Sequence, residues 1–163
     1  LTHTLRRRMR LLRVGPGDDN WQQELQRRAA AAGLDDAVIF TGALTQPAAN
    51  ACWRAADVYL SLSEHEGFGM PLVEALHFKL PVVALDRAAV SETLAGSGVL
   101  VRDGDPALLA RTVVQVADDR CLRDAVLARQ QAALTRSQPA AAVTVLQDAL
   151  AAAFPDAETD PRS

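Results

Sequence analysis

The chain has 163 residues, of which 49% are hydrophobic, 4% aromatic and 23% charged, with a formal net charge of −3. This length supports one domain with a sizeable core, which alanine, leucine and valine build in place of aromatic side chains. The charge gives no overall attraction to nucleic acid, so we expect no nucleic-acid partner.

The sequence favours a cytoplasmic protein. No apolar stretch approaches the roughly 20 residues needed to cross a bilayer, and no signal peptide opens the sequence. Cys52 and Cys121 have no metal-ligand spacing, so we expect buried free thiols in a reducing compartment.

The first residues, LTHTLRRRMRLLRV, begin with Leu1 and carry a dense run of arginines. We interpret residues 1–10 as a ragged basic segment at the end of a truncated chain. A solvated helix face is an alternative, and a patch for nucleic acid or for a weak peripheral contact with anionic lipid is a lesser one.

Apolar runs bounded by turn residues predict five strands, and the segments between them predict helices. We expect a strand at 11–14, a helix at 19–32 ending near Gly33, and a strand at 37–40 closed by Gly42. A helix capped by Thr45 with Pro47 in its first turn follows, then a strand at 58–62 and a helix at 70–78. The runs LPVVALD and SGVLVRD give two more strands, followed by helices at 106–118, 120–135 and 138–153 and a disordered tail at 155–163.

This alternation of strands and helices predicts an α/β fold. The strands are short and continuously apolar, which is typical of strands covered on both faces. We therefore expect a parallel sheet with helices on both faces. In such sheets ligands bind where loops leave the carboxyl ends of strands, here loops 15–19, 41–46, 63–70 and 86–92.

The first of these loops, in VGPGDDN, fits no complete nucleotide motif. The dinucleotide fingerprint requires a third glycine where Asn20 stands, and no GK[ST] follows for a phosphate loop. We interpret Gly15 and Gly17 as a tight turn, with close approach of a ligand as the alternative.

The segment SEHEGFGMPLVEA at 63–75 is the most informative one. Gly67 and Gly69 let the backbone turn sharply against a ligand, and Pro71 suits the first turn of a helix. The amino end of that helix can hold a phosphate, and Glu66 and Glu74 flank it with carboxylates that accept hydrogen bonds from sugar hydroxyls. A nucleotide sugar has this layout. The alternative is that the acids only stabilise the helix dipole.

The same segment, with Glu66 and Glu74 in the spacing Glu-x7-Glu, resembles the signature of retaining GT-B glycosyltransferases of family 4. VIFTG at 38–42, RAADVYLSLS at 54–63 and PVVALDRAAVSETLAGSGVLV at 81–101 resemble further motifs of that family. The resemblance implies the C-terminal, Rossmann-like donor-binding half of a GT-B fold over residues 11–154, with a helical C-terminal segment.

The resemblance also implies roles for individual residues. Glu66 corresponds to the catalytic residue that contacts the hydroxyls of the donor sugar, and Glu74 to the one that binds the ribose. Gly42 and Ala43 would lie beside the base. No metal and no other cofactor is expected, since basic side chains neutralise the leaving diphosphate. The remaining donor-binding positions are Gly67, Phe68, Gly69, Met70, Pro71 and Leu72.

The sequence departs from the family in one respect that bears on activity. We find no motif upstream of Leu11 that matches the phosphate-binding Arg and Lys of the family, and we expect the given chain to lack the N-terminal acceptor-binding domain. We therefore expect a hexosyltransferase seen as its donor-binding half, inactive or nearly so alone. A non-catalytic nucleotide-sugar-binding module is the alternative, and a receiver domain ranks below both. The apolar segment at 141–154 predicts self-association.

Overall fold

The computed structural model describes residues 9–64, 69–87 and 90–136. Their elements are β1 (Leu11–Val14), α1 (Asp19–Ala31), β2 (Val38–Gly42), α2 (Gln46–Ala55), β3 (Tyr59–Ser61), α3 (Met70–His77), β4 (Val82–Leu85), α4 (Val90–Thr93), β5 (Val99–Val101), α5 (Pro106–Asp118) and α6 (Arg120–Arg136). The strands and helices predicted across these residues are confirmed, whereas α4 is not predicted. The helix predicted at 138–153, residues 1–8 and the tail at 155–163 lie outside the described residues.

The chain divides into two compact units, Leu1–Ala56 and Asp57–Ser163. In the first unit β1 and β2 pair in parallel. In the second unit β4 lies between β3 and β5 and pairs in parallel with both. Parallel neighbours joined through helices confirm the α/β class. The single domain expected from the length stays a prediction.

The core of the second unit forms around β4, whose four residues are all buried. On one face, Val83 and Leu85 pack with β5 and α5. On the other face, to which Val82 and Ala84 alternate, α3 contacts β4. This sheet therefore has helices on both faces, as expected. The other buried side chains of these elements are Leu72, Ala75, Leu76, Val101, Leu109 and Val116.

A buried glutamine ties α6 to the amino end of β4. The side chain of Gln130 is 2% exposed. Its Nε2 donates to the Leu80 carbonyl at 2.7 Å, and its Oε1 accepts from the Val82 N–H at 2.9 Å. The two bonds bracket Pro81, which has no N–H of its own. Gln130 thus satisfies two backbone groups where the chain turns from α3 into β4.

The first unit buries much less apolar surface. Neither α1 nor α2 contains a buried residue, and Leu11 and Val14 of β1 are 53% and 43% exposed. Burial on both faces, which the apolar runs predict for every strand, is therefore confirmed for β4 and wrong for β1. Thr45 occupies the N-cap position of α2, as expected, but its side chain makes no cap hydrogen bond.

The expectation of two buried thiols is wrong. Cys52 on α2 is half-buried and Cys121 on α6 is exposed. The buried side of α6 is formed at Val126, Gln130 and Ala133, and Cys121 lies outside that helical spacing. Within the described residues, no helix is long and apolar enough to cross a bilayer.

Candidate functional site

The three strands of the second unit end at one edge of their sheet. The chain leaves β3 at Leu62, β4 at Asp86 and β5 at Arg102, and because the strands are parallel these positions share the carboxyl edge. The predicted site residues Glu66, Gly67 and Phe68 fall on this edge's first loop but lie outside the described residues. Their roles stay predictions.

Gly69 closes that loop and caps α3. Its backbone is left-handed, with φ 69° and ψ 46°, a conformation that side chains with a Cβ disfavour. A Cβ on Gly69 would also lie 2.8 Å from Cδ1 of the buried Leu72 and 3.6 Å from Cγ2 of Thr93 on α4. Conformation and space both favour glycine at position 69, while the course of the chain at Gly67 lies outside the described residues.

The amino end of α3 presents two amides that have no acceptor among the described residues. Pro71, the second helical residue, has no N–H, and the Leu72 N–H donates to the Gly69 carbonyl at 2.8 Å. Within the part of the chain that the structure describes, no side chain makes a cap hydrogen bond at this end. Among the described residues, the N–H groups of Gly69 and Met70 have no acceptor, so the predicted phosphate seat consists of these two amides. Met70 itself is 58% exposed.

Glu74 lies one turn further along α3. It is half-buried, and its carboxylate has no hydrogen-bond or ion-pair partner among the described residues. No acidic residue lies in the first turn of α3, where the helix dipole acts most strongly. The alternative that Glu74 only stabilises the dipole therefore loses its geometric basis, and the carboxylate keeps its full capacity to accept from ligand hydroxyls.

Gly42 and Ala43 lie at the carboxyl edge of the first unit's sheet. Gly42 has φ 64° and accepts a hydrogen bond from the Gly15 N–H at 3.0 Å. The bond joins the ends of β1 and β2, and Ala43 follows exposed to solvent. This edge is the one that ligands use in α/β sheets, while the predicted contact with a base stays a prediction.

The VGPG loop is held by hydrogen bonds from the side chain of Arg13. Arg13 donates from Nη1 to the Gly15 carbonyl at 3.0 Å and from Nη2 to the Pro16 carbonyl at 3.3 Å. A Cβ on Gly17 would overlap the Arg13 guanidinium. Gly17 makes room for that side chain, while the tight turn at Gly15 and Gly17 stays a prediction.

Two arginines at the carboxyl edge of the second unit's sheet were not predicted as site residues, because the Glu-x7-Glu motif does not include them. Arg102 is 89% exposed and its Nε lies 3.3 Å from Oδ2 of Asp86. Arg87 is exposed and donates from Nη1 to the Asp86 carbonyl at 3.1 Å. The sequence signal that could have found them is a basic residue within two positions of the end of an apolar strand.

The described residues contain no group of three or more His, Cys, Asp and Glu side chains that could hold a metal ion. The expectation that the protein works without a metal stays a prediction.

Residues 1–119 match the sequence profile of the glycosyl transferases group 1 family. The chain belongs to this family. A phosphatidyl-myo-inositol mannosyltransferase of Mycobacterium leprae is 36% identical over 131 residues, which are 78% of this chain and 34% of that protein. The lipopolysaccharide core biosynthesis mannosyltransferase LpsB of Rhizobium meliloti is 33% identical over 104 residues, which are 61% of this chain and 29% of that protein. The chain thus spans about a third of the length of these curated relatives.

The comparison of structures agrees with this group 1 assignment. The C-terminal domain of LpcC, a glycosyl transferase group 1 family protein of Francisella tularensis, superposes with a TM-score of 0.63 and 28% identity. The match covers 74% of this chain and 63% of that one. The predicted glycosyltransferase assignment, at the level of group 1, and the predicted C-terminal GT-B domain are confirmed, while membership of the retaining family 4 stays a prediction.

Proposed function

We propose that this group 1 chain is the donor-binding part of a glycosyltransferase that moves a hexose from a nucleoside diphosphate sugar to an acceptor with retention of configuration. The observation that carries the proposal is the half-buried Glu74 carboxylate, which has no partner among the described residues and stands one turn beyond the free amides of Gly69 and Met70. Amides that can bind an anion, next to a carboxylate that can accept hydrogen bonds from hydroxyls, suit a ligand in which a phosphate is attached to a polyol.

The proposed arrangement assigns each group a part in the reaction. The diphosphate rests against the amides of Gly69 and Met70, and Glu74 accepts hydrogen bonds from the ribose. Glu66 contacts the hydroxyls of the donor sugar, an assignment that rests on the resemblance alone. Donors aimed at the diphosphate stabilise the negative charge that develops as the glycosidic bond breaks, which lowers the barrier to transfer.

The sequence relatives support a hexose donor. They are named as mannosyltransferases in Mycobacterium leprae and Rhizobium meliloti and as a 2-deoxystreptamine glucosyltransferase in Streptomyces kanamyceticus, 36% identical over 105 residues. Their acceptors differ by name, whereas the transferred sugar is a hexose in each. We therefore propose that the relatives and this chain share the type of donor, and that the acceptor-binding domain of the whole enzyme determines the acceptor.

A non-catalytic nucleotide-sugar-binding module is the second candidate. The two candidates share the donor site and differ in turnover. Because we expect the chain to be inactive or nearly so alone, the test measures release of the nucleoside diphosphate when the chain, the nucleotide sugar, an acceptor and the acceptor-binding domain of the whole enzyme are combined. Only the transferase passes the sugar to the acceptor and releases the diphosphate.

The direct test of the donor site uses Glu74→Gln. We expect UDP-, GDP- or ADP-linked hexoses to raise the melting temperature of the wild type according to RT ln(1 + [L]/Kd). Loss of charge-assisted hydrogen bonds to the ribose should weaken the best ligand by about 10- to 100-fold in the variant. The measurement is a thermal-shift screen followed by calorimetric titration.

Asp124→Asn is the matched control for this test. It removes one negative charge from an exposed position on α6, next to Arg123, whose Nη1 donates to the Asp57 carbonyl ahead of β3. The control therefore lies towards the amino edge of the sheet and should bind the ligand like the wild type. A wild-type chain that binds none of the three nucleotide sugars would refute the proposed function.

A further inference from the structure

Arg87 is an exposed cation at the carboxyl end of the central strand β4. We propose that Arg87 binds the diphosphate of the donor and supplies the positive charge that the leaving group requires. The inference rests on the proposed function and names a binding residue that the Glu-x7-Glu motif does not include.

The charges around Arg87 leave its guanidinium available. The neighbouring acid, Asp86, is engaged by β5, because its N–H donates to the Val101 carbonyl at 2.9 Å and its carboxylate pairs with Arg102 at 3.3 Å. Among the described residues, Arg87 has no carboxylate within ion-pair distance, and its Nη1 donates to a backbone carbonyl. Asp86 is thus neutralised by one arginine, and the other keeps its full charge and most of its donors.

Arg87 and the amino end of α3 flank the same short helix. The Arg87 carbonyl accepts the N–H of Val90, the first residue of α4, at 3.1 Å. At the other end of α4, Thr93 lies 3.6 Å from the position of a Cβ on Gly69. Ser61 of β3 is in register with Ala84 of β4, and neighbouring strands lie about 4.8 Å apart. The loop that leads to α3 therefore starts beside the segment that carries Arg87.

The chemistry of the ligand calls for such a cation. Two backbone amides carry only partial charges, while a diphosphate that leaves a sugar gains a full negative charge. The guanidinium offers a planar fork of donors that matches phosphate oxygens in two parallel hydrogen bonds. Arg87 would place such a fork beside the two amides at the amino end of α3.

The test measures binding of UDP, GDP and ADP by calorimetry for the full chain and for three variants. We expect Arg87→Gln to weaken the tightest diphosphate by about tenfold, and Arg87→Lys to fall between it and the wild type, because lysine keeps the charge and loses the fork. Raising the salt concentration should weaken the wild type more than Arg87→Gln. Arg129→Gln removes an exposed arginine beside Gln130, at the amino edge of the same sheet, and should bind like the wild type.

The outcomes separate this role from the proposed function. Equal binding of the diphosphate by wild type and Arg87→Gln overturns the role of Arg87 and leaves the donor site standing. Equal weakening by Arg129→Gln overturns it as well, since the effect would then be a property of overall charge. A wild type that binds none of the three diphosphates overturns the donor site and the role of Arg87 together. Unliganded melting temperatures verify folding, and a poorly folded Arg87→Gln leaves the comparison of Arg87→Lys with the wild type as the test.

Discussion

Gln130 shows how much one residue contributes when two buried backbone groups depend on it. Gln130→Ala removes the partners of the Leu80 carbonyl and the Val82 N–H. Leaving a buried polar group unpaired costs about 1 to 3 kcal/mol. We therefore expect the variant to lose at least about 2 kcal/mol of unfolding free energy, measured by urea denaturation.

The neighbouring Gln131 provides the control for this substitution. It is exposed on the same helix, so Gln131→Ala should change the unfolding free energy by less than about 0.5 kcal/mol. Equal effects at the two positions would show that helix propensity, and not the bonds to Leu80 and Val82, decides the stability.

The burial of Gln130 could be predicted from the sequence. The absence of a partner for the Glu74 carboxylate among the described residues could not. Gln130 lies four residues after Val126 and three before Ala133, a spacing that places it on the buried side of α6. Its two partners are about 50 positions away in the chain, and no local pattern indicates them. For Glu74, the motif predicts a ligand contact, whereas the absence of a partner among the described residues is a tertiary fact.

The ends of α1 and α3 share one backbone motif with different residues at its critical position. In α1, Gly33 donates to the Ala30 carbonyl at 2.8 Å and Leu34 to the Ala29 carbonyl at 2.9 Å. In α3, Lys79 donates to Leu76 at 3.1 Å and Leu80 to Ala75 at 2.9 Å. Both are Schellman motifs. The left-handed residue is Gly33 with φ 62° in one and Lys79 with φ 56° in the other.

We expect Lys79→Gly to stabilise the protein. A non-glycine residue in the left-handed conformation costs about 1 to 2 kcal/mol, and glycine gives back about 0.4 to 1 kcal/mol through the greater freedom of the unfolded chain. The net gain should be about 0.5 to 1 kcal/mol of unfolding free energy, seen as a higher urea midpoint at constant slope.

The reverse substitution at α1 tests the same argument. Gly33→Lys places a side chain in the conformation that Gly33 now occupies, so we expect a loss of about the same size, 0.5 to 1 kcal/mol. A destabilised Lys79→Gly would mean that Lys79 makes a contribution that outweighs its backbone conformation.

At this scale the sequence predicts the elements better than their details. Capping residues and apolar runs place ten strands and helices correctly among the described residues, because each depends on neighbours in the chain. The four-residue α4 is missed, since a single turn between β4 and β5 shows no periodicity. The left-handed backbone of Lys79 has no signal in the sequence, because glycine is the residue typical of that position at a helix end.

Across the whole molecule, the distribution of burial is what the sequence predicts least well. LLRV of β1 and VVAL of β4 are both short apolar runs, yet Leu11 is 53% exposed and Val83 is fully buried. The difference arises from what packs on each strand. Helices α3 and α5 cover β4, while the helices of the first unit bury no residue. Such coverage depends on contacts distant in sequence.

This asymmetry predicts unequal protection of backbone amides. Local opening requires less free energy where few apolar side chains are buried, so amides of β2, such as Phe40, should exchange much faster than those of β4, such as Ala84. Native-state hydrogen exchange on the full chain, read by mass spectrometry at increasing guanidinium, measures both. We expect the segment at 38–42 to lose protection at a lower denaturant concentration than the segment at 82–85.

The Gln130→Ala variant gives this prediction an internal control. Because Gln130 bonds to Leu80 and Val82, its loss should lower protection in β4 and leave the exchange of β2 as it is in the wild type, if β2 opens independently. Identical protection of the two strands in the wild type, falling together in the variant, would mean that the chain opens as one cooperative unit. In that case the exposure of the β1 side chains would not lower the free energy of opening of the first unit, and one unfolding free energy would describe the whole chain.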